Sequence, residues 1–132
     1  MSRSILLADD SAVARRAIRN LVTERLGDTI TYDEAAGGLE ALGKAIASKP
    51  DVAVLDIAML PGLTGVEAAR CISQQCPQTA VLTISNHDVE PILPLVKQAG
   101  VRGFVPKASM ASQLVPAIEA LLEGKTYFAS QS

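Results

Sequence analysis

Long apolar runs are missing from this sequence. Nowhere do about eighteen apolar residues stand together, which excludes a membrane-spanning helix of ordinary length. The opening "MSRSILLADD" lacks an extended apolar core and a small-residue cleavage site, so it does not read as a secretion signal. Cysteine is scarce: Cys71 and Cys76 have no second pair and no partner histidine, which excludes a zinc-binding pattern and a disulfide framework. Both are expected to be reduced thiols on or just after a helix, in a cytoplasmic protein. A basic excess is missing too. With 12 Lys and Arg against 14 Asp and Glu, composition alone offers no nucleic-acid surface. Arg15, Arg16 and Arg19 form the one basic cluster and read as a solvated helix face. There is no internal repeat, low-complexity tract or interdomain linker.

What is present is globular. At 132 residues, 48% hydrophobic and 20% charged, the chain suits one domain with a sizeable core. The stretches "SILLA" (4–8), "VAVL" (52–55), "AVLTI" (80–84) and "GFV" (103–105) are strand-length and apolar without alternation. Such strands are buried on both faces, as in a parallel sheet covered by helices. "TITYDEA" (29–35) supplies a weaker fifth strand. Between them, Ala14, Ala17, Ile18 and Leu21 repeat at helical spacing, as do Leu114, Ala117, Ile118 and Leu121, and in part Leu39, Leu42 and Ile46. Segments 64–75 and 89–99 complete the helices. Pro94 predicts a short or irregular fourth helix, and Pro116 a last helix that starts late or bends. Alternating strands and helices give right-handed crossovers and a doubly wound α/β sheet. Residues 125–132 read as a polar tail or the start of a linker.

Sites in open α/β sheets lie beyond the carboxyl ends of the strands, where strand order reverses. Strand one ends in Asp9 and Asp10, strand three in Asp56 and strand four in Ser85, while strand five reaches Lys107. Taken singly, each has an ordinary explanation: Asp10 or Ser11 as a helix cap, Ser85 as a loop serine, Lys107 as a solvated charge. As an ordered set they point to chemistry. Three converging carboxylates repel one another, and a hard divalent cation such as Mg²⁺ removes that conflict. Asp56 then becomes available as a nucleophile toward phosphorus, with Lys107 as the fixed cation and Ser85 as a hydrogen-bond donor.

The segments "LLADDSAVARRAI", "VAVLDIAM" with "LPGLTGVEA", "VLTIS" and "GFVPKAS" resemble the receiver domain of bacterial two-component response regulators, over essentially the whole chain. The resemblance implies a flavodoxin-like (βα)5 fold of strand order 2-1-3-4-5, with residues 1–124 as the receiver. It implies that Asp56 accepts a phosphoryl group from a sensor histidine kinase, in a phosphorelay that controls an output such as transcription. Asp9, Asp10 and Asp56 would hold Mg²⁺ or Mn²⁺, joined by the backbone carbonyl of Ala58. Lys107 would match the lysine of the site, Ser85 the switch hydroxyl and Phe104 the switch aromatic. Such a module is not a conventional enzyme, because it promotes only its own phosphorylation and dephosphorylation. The ending "AIEALLEGKTYFAS" resembles LuxR-type receivers, so DNA would be reached only through a helix-turn-helix output domain that this chain does not contain. A homodimer is compatible with this reading, and no membrane is implied.

Some positions depart from the pattern. Pro61 stands five residues after Asp56 where relatives place it four after, so Leu60 or a neighbour is a one-residue insertion. The metal-facing carbonyl is then that of Ala58 by count, or of Met59 if the loop shifts. By the resemblance, Ala58 and His87 would flank the path of the hydrolytic water, although a lone loop histidine reads as solvent-facing, and Ala108 follows the lysine where many receivers have proline. A degenerate receiver, acting as an interaction module without phosphorylation, is the main alternative. A haloacid-dehalogenase-type phosphatase would want an acid where Ala58 stands, and a flavin carrier would be repelled by Asp9 and Asp10.

Overall fold

The unbroken apolar stretches become the strands of one sheet in the computed structural model, which describes residues 3–58, 64–86 and 89–129. The strands are β1 (Arg3–Ala8), β2 (Ile30–Ala35), β3 (Val52–Asp56), β4 (Ala80–Ser85), β5 (Gly103–Pro106) and β6 (Tyr127–Phe128). All pair in parallel, in the order β2-β1-β3-β4-β5-β6. The helices are α1 (Ala12–Leu26), α2 (Gly38–Ser48), α3 (Gly65–Gln75), α4 (Leu93–Gln98) and α5 (Met110–Leu122). The doubly wound fold and the order of the first five strands are those expected from the sequence.

Burial on both faces explains the lack of alternation. Ile5, Leu7, Val52, Val54, Leu82, Ile84 and Val105 pack with Ile18 and Val22 of α1 and Leu114, Ile118 and Leu121 of α5. The intervening Leu6, Ala8, Ala53, Leu55 and Val81 face Ala41 and Ala45 of α2, Ala68 and Ile72 of α3, and Val96 of α4. Complete burial of such a side chain stabilises by roughly 1.5–3 kcal/mol. A one-residue slip would exchange the two face sets, so packing as well as hydrogen bonding fixes the register.

Three features refine the sequence reading. The fourth helix is short, as Pro94 requires, and follows a 3-10 turn over Glu90–Ile92 that absorbs Pro91 in its first positions. The last helix does not start late: α5 begins at Met110 and runs on through an exposed Pro116. The missing proline N–H is tolerated there because Leu114, Val115, Ala117 and Ile118 around it are buried and hold the helix against the sheet. Finally, Tyr127 and Phe128 add a sixth strand. The amides of Tyr127 and Ala129 donate to the carbonyls of Arg102 and Phe104, at 2.9 and 3.0 Å. Gly103 permits this approach, since a Cβ there would lie 2.8 Å from the Tyr127 carbonyl oxygen.

Cys71 lies half-buried within α3, Cys76 is buried just beyond its end, and both are free thiols. No helix among the described residues is long and apolar enough to cross a membrane.

Candidate functional site

The acidic pair leaves the sheet where β1 gives way to α1. The Ser11 hydroxyl caps α1 by accepting from the Ala14 amide at 3.2 Å, so the cap is Ser11 and not Asp10. The Ser11 amide donates in turn to Asp9 Oδ1 at 2.9 Å, folding the Asp9 carboxylate back over the strand end. Asp9 is fully buried, while Asp10 is exposed beside it.

Asp56 closes β3, between β1 and β4, with only 5% of its surface exposed. Its Oδ1 accepts from the Ala58 amide at 3.0 Å, and its Oδ2 accepts from Lys107 Nζ at 3.0 Å. The same ammonium lies 2.7 Å from Asp9 Oδ2. Lys107 stands in a 3-10 turn (Lys107–Ser109) directly after β5, and so reaches back over the sheet edge. Its burial is the largest single influence on its pKa and favours loss of the proton. The hydrogen-bonding and charge of Asp9 and Asp56 together outweigh that, and hold the pKa above its ordinary value.

Ser85 ends β4, buried, in register with Pro106 of β5. Phe104 is buried in β5 opposite Thr83 on one side and Phe128 on the other. Ala58 shows its amide engaged with Asp56. Met59, Leu60, Pro61 and His87, including the position of the expected one-residue insertion, lie outside the described residues.

Two contributors were hidden in the sequence. Gly65 opens α3 with its amide 3.0 Å from the Ile57 carbonyl, and a Cβ there would fall 2.3 Å from the Asp56 carbonyl oxygen. Its only sequence trace is a glycine after a helix-capping threonine. Arg15 is the second. It is no solvated residue: its side chain is 16% exposed, and Nε donates to Glu34 Oε1 at 2.8 Å while Nη1 donates to the Asp9 carbonyl. Arg19 does remain half-exposed, 3.4 Å from Glu34 and stacked over the Tyr32 ring. Spacing within α1 could not show this, because the partner sits on β2.

Carboxylate oxygens of Asp9, Asp10 and Asp56 lie within 4.8 Å of one another. Against these acids Lys107 brings a single positive charge. Asp9 Oδ2 is buried, with the Lys107 ammonium at 2.7 Å as its partner. A crowded all-oxygen set of three carboxylates facing one ammonium fits a hard divalent cation such as Mg²⁺ or Mn²⁺.

The family model for the response regulator receiver domain matches residues 5–119. The oxygen regulatory protein NreC of Staphylococcus epidermidis is 35% identical over 123 residues, covering 93% of this chain and 56% of that protein. The NreC protein of Staphylococcus carnosus is 33% identical over the same length. This chain therefore spans about half the length of the curated relatives it matches. Among solved structures, a LuxR-family response regulator from an Aurantimonas species superposes with a TM-score of 0.86 at 34% identity, over 96% of this chain and 89% of that one. The signal receiver domain of NarL from Mycobacterium tuberculosis gives 0.84 at 29% identity, over 94% and 98%. Fold, sequence and the acidic strand ends thus agree, and the chain belongs to the response regulator receiver domains, with relatives of the NreC and NarL type.

Proposed function

We propose that Asp56 accepts a phosphoryl group from a sensor histidine kinase and that the resulting charge controls an output, transcription in the first instance. The observation that carries this reading is Lys107 Nζ, 2.7 Å from Asp9 and 3.0 Å from Asp56 at the mouth of the acidic cluster. Asp56 supplies the attacking oxygen. A phosphorus–oxygen bond forms as the bond from phosphorus to the donor breaks, leaving an acyl phosphate. Lys107 then turns from a partner of the carboxylate to a partner of the phosphoryl oxygens. Asp9, Asp10 and Asp56 would hold Mg²⁺ or Mn²⁺, with the Ala58 carbonyl as a further oxygen. When bound, the cation supplies charge neutralisation for the transfer.

The switch follows from charge and packing. Ser85, at the end of β4, bonds an oxygen of the new phosphoryl group, and Phe104 on the neighbouring strand responds to the space this changes. The surface formed by α4, β5 and α5 is thereby altered, and a partner reads the difference. This is signalling by a single self-directed reaction, not turnover of an external substrate. The setting is the cytoplasm, DNA is reached through an output domain outside this chain, and a second copy is a compatible partner.

Intact-mass measurement after incubation with acetyl phosphate and Mg²⁺ tests the reading. A Mg²⁺-dependent gain of one phosphoryl group, absent from Asp56→Asn, is the expected result. A wild-type chain that stays unmodified at every metal concentration overturns it in favour of a phosphorylation-independent interaction module.

A further inference from the structure

We propose that Arg15, held by Glu34, is a positioning residue for the acidic pocket: by gripping the Asp9 carbonyl it sets how the Asp9–Asp10 pair faces a divalent cation. The inference rests on the metal-binding reading above and extends it to residues outside the cluster. Its basis is a fork. The Arg15 guanidinium donates from Nη1 to the Asp9 carbonyl and from Nε to Glu34 Oε1, with Glu34 at 2.8 Å and the Arg15 side chain largely buried.

The peptide joining Asp9 to Asp10 is planar, so fixing the Asp9 carbonyl also fixes the direction in which the chain reaches the Asp10 Cα. The other anchors hold the amide and the carboxylate of Asp9 and leave its carbonyl to Arg15: the amide donates to the Ala35 carbonyl at 3.0 Å, Oδ1 accepts from the Ser11 amide, and Oδ2 lies 2.7 Å from Lys107 Nζ. Arg15 supplies the remaining one, and it acts against a real force. Carboxylates crowded within 4.8 Å repel, and the exposed Asp10 is the member able to swing away. Glu34 orients the guanidinium, and β2 holds Glu34 in register with Leu7 of β1. Lys44 of α2 donates to the Glu34 carbonyl, so the base of the fork is itself tethered. A charge-assisted, two-pronged contact of this kind gives geometric definition that a point charge does not.

Charge alone makes a different forecast from the clamp. Removing the positive Arg15 should raise affinity for a cation, and removing the negative Glu34 should lower it. The clamp requires both to fall. The test is binding of Mn²⁺ alone, read from the electron paramagnetic resonance of the free ion, in the wild type, Arg15→Gln, Arg15→Lys, Glu34→Gln and the double variant. Loss of an outer partner of a metal ligand weakens binding by about tenfold or more. The expected result is such a loss in Arg15→Gln and in Glu34→Gln, with the double variant no weaker than Arg15→Gln. Arg15→Lys, which keeps the charge without the fork, stays weakened. Glu34 is partly exposed, so its variant keeps the test open if Arg15→Gln does not fold. Opposite shifts in the two single variants, or affinities equal to that of a Mn²⁺-binding wild type, overturn the clamp alone. A wild type that binds no Mn²⁺ overturns both the clamp and the metal-binding reading beneath it.

Discussion

At the scale of single residues, the site is a balance of buried charges settled by one ammonium. Lys107 stands between two carboxylates that are almost wholly buried. Lys107→Met leaves both without their cation, and an unsatisfied buried acceptor costs about 1–3 kcal/mol, more when charged. Urea unfolding in the presence of a chelator should show a loss of that order; unchanged stability would mean that water already compensates the acids. The pH dependence has a definite sign. Because the Lys107 pKa is raised above 10.5, its contribution is fully present below 10.5 and fades as pH climbs through the raised value. The wild type should therefore lose, on the alkaline side, a component of stability that Lys107→Met never has. Lys107, Asp9 and Asp56 were legible in the sequence because each ends a strand of obvious pattern. Arg15 was not: its neighbours Arg16 and Arg19 share its chemistry, and only the long-range placement of Glu34 distinguishes it.

At the scale of elements, the start of α3 lies hard against the end of β3. Thr64 and Glu67 form a reciprocal capping box, with 3.1 Å contacts in both directions, and the sequence motif that announces it is plain. What the motif does not announce is how closely Gly65 then lies on the backbone of Asp56 and Ile57. The obstructing atoms are main chain and cannot rotate aside. Gly65→Ala should cost about 1–3 kcal/mol in urea unfolding, as overpacking does. It should also slow modification of Asp56 by acetyl phosphate, since the junction must open to admit the methyl group. Wild-type stability and rate would show that the junction yields freely. Periodicity was a sound guide to the helices, including the brevity of α4 around Pro94. Its stripe of Leu114, Ala117, Ile118 and Leu121 held in α5 as well, and only the late start expected from Pro116 did not, because buried neighbours on the sheet carry the helix through it.

At the scale of the whole molecule, one sheet edge is closed by a piece of chain with almost no strand signature. "TYF" carries too few residues for any period, and its docking depends on the absence of a side chain at Gly103, over twenty positions earlier. Once docked, Phe128 lies beneath the Lys97 ammonium, 4.7 Å from the ring centre, and Tyr127 hydroxyl meets Gln113 Oε1 at 3.1 Å. β6 thus joins β5 to both α4 and α5. Truncation after Thr126 should release the carbonyls of Arg102 and Phe104 from their partners and bare the flank of Phe104. Hydrogen exchange should then quicken across β5 while β1 and β3 keep their protection. Unchanged exchange in β5 would show that the strand contributes no order to that edge.

The parallel direction of β6 also decides which way the chain is heading at Ala129. A chain that stopped at Gly124, just past α5, would end at the rim opposite Lys107, since α5 runs back along the sheet from the Lys107 turn. By continuing through Tyr127 and Phe128 alongside β5, it travels forward again toward the rim that bears Asp56 and Lys107. A fluorescent reporter attached behind Ala129 would sit nearer the reactive rim than one attached behind Gly124.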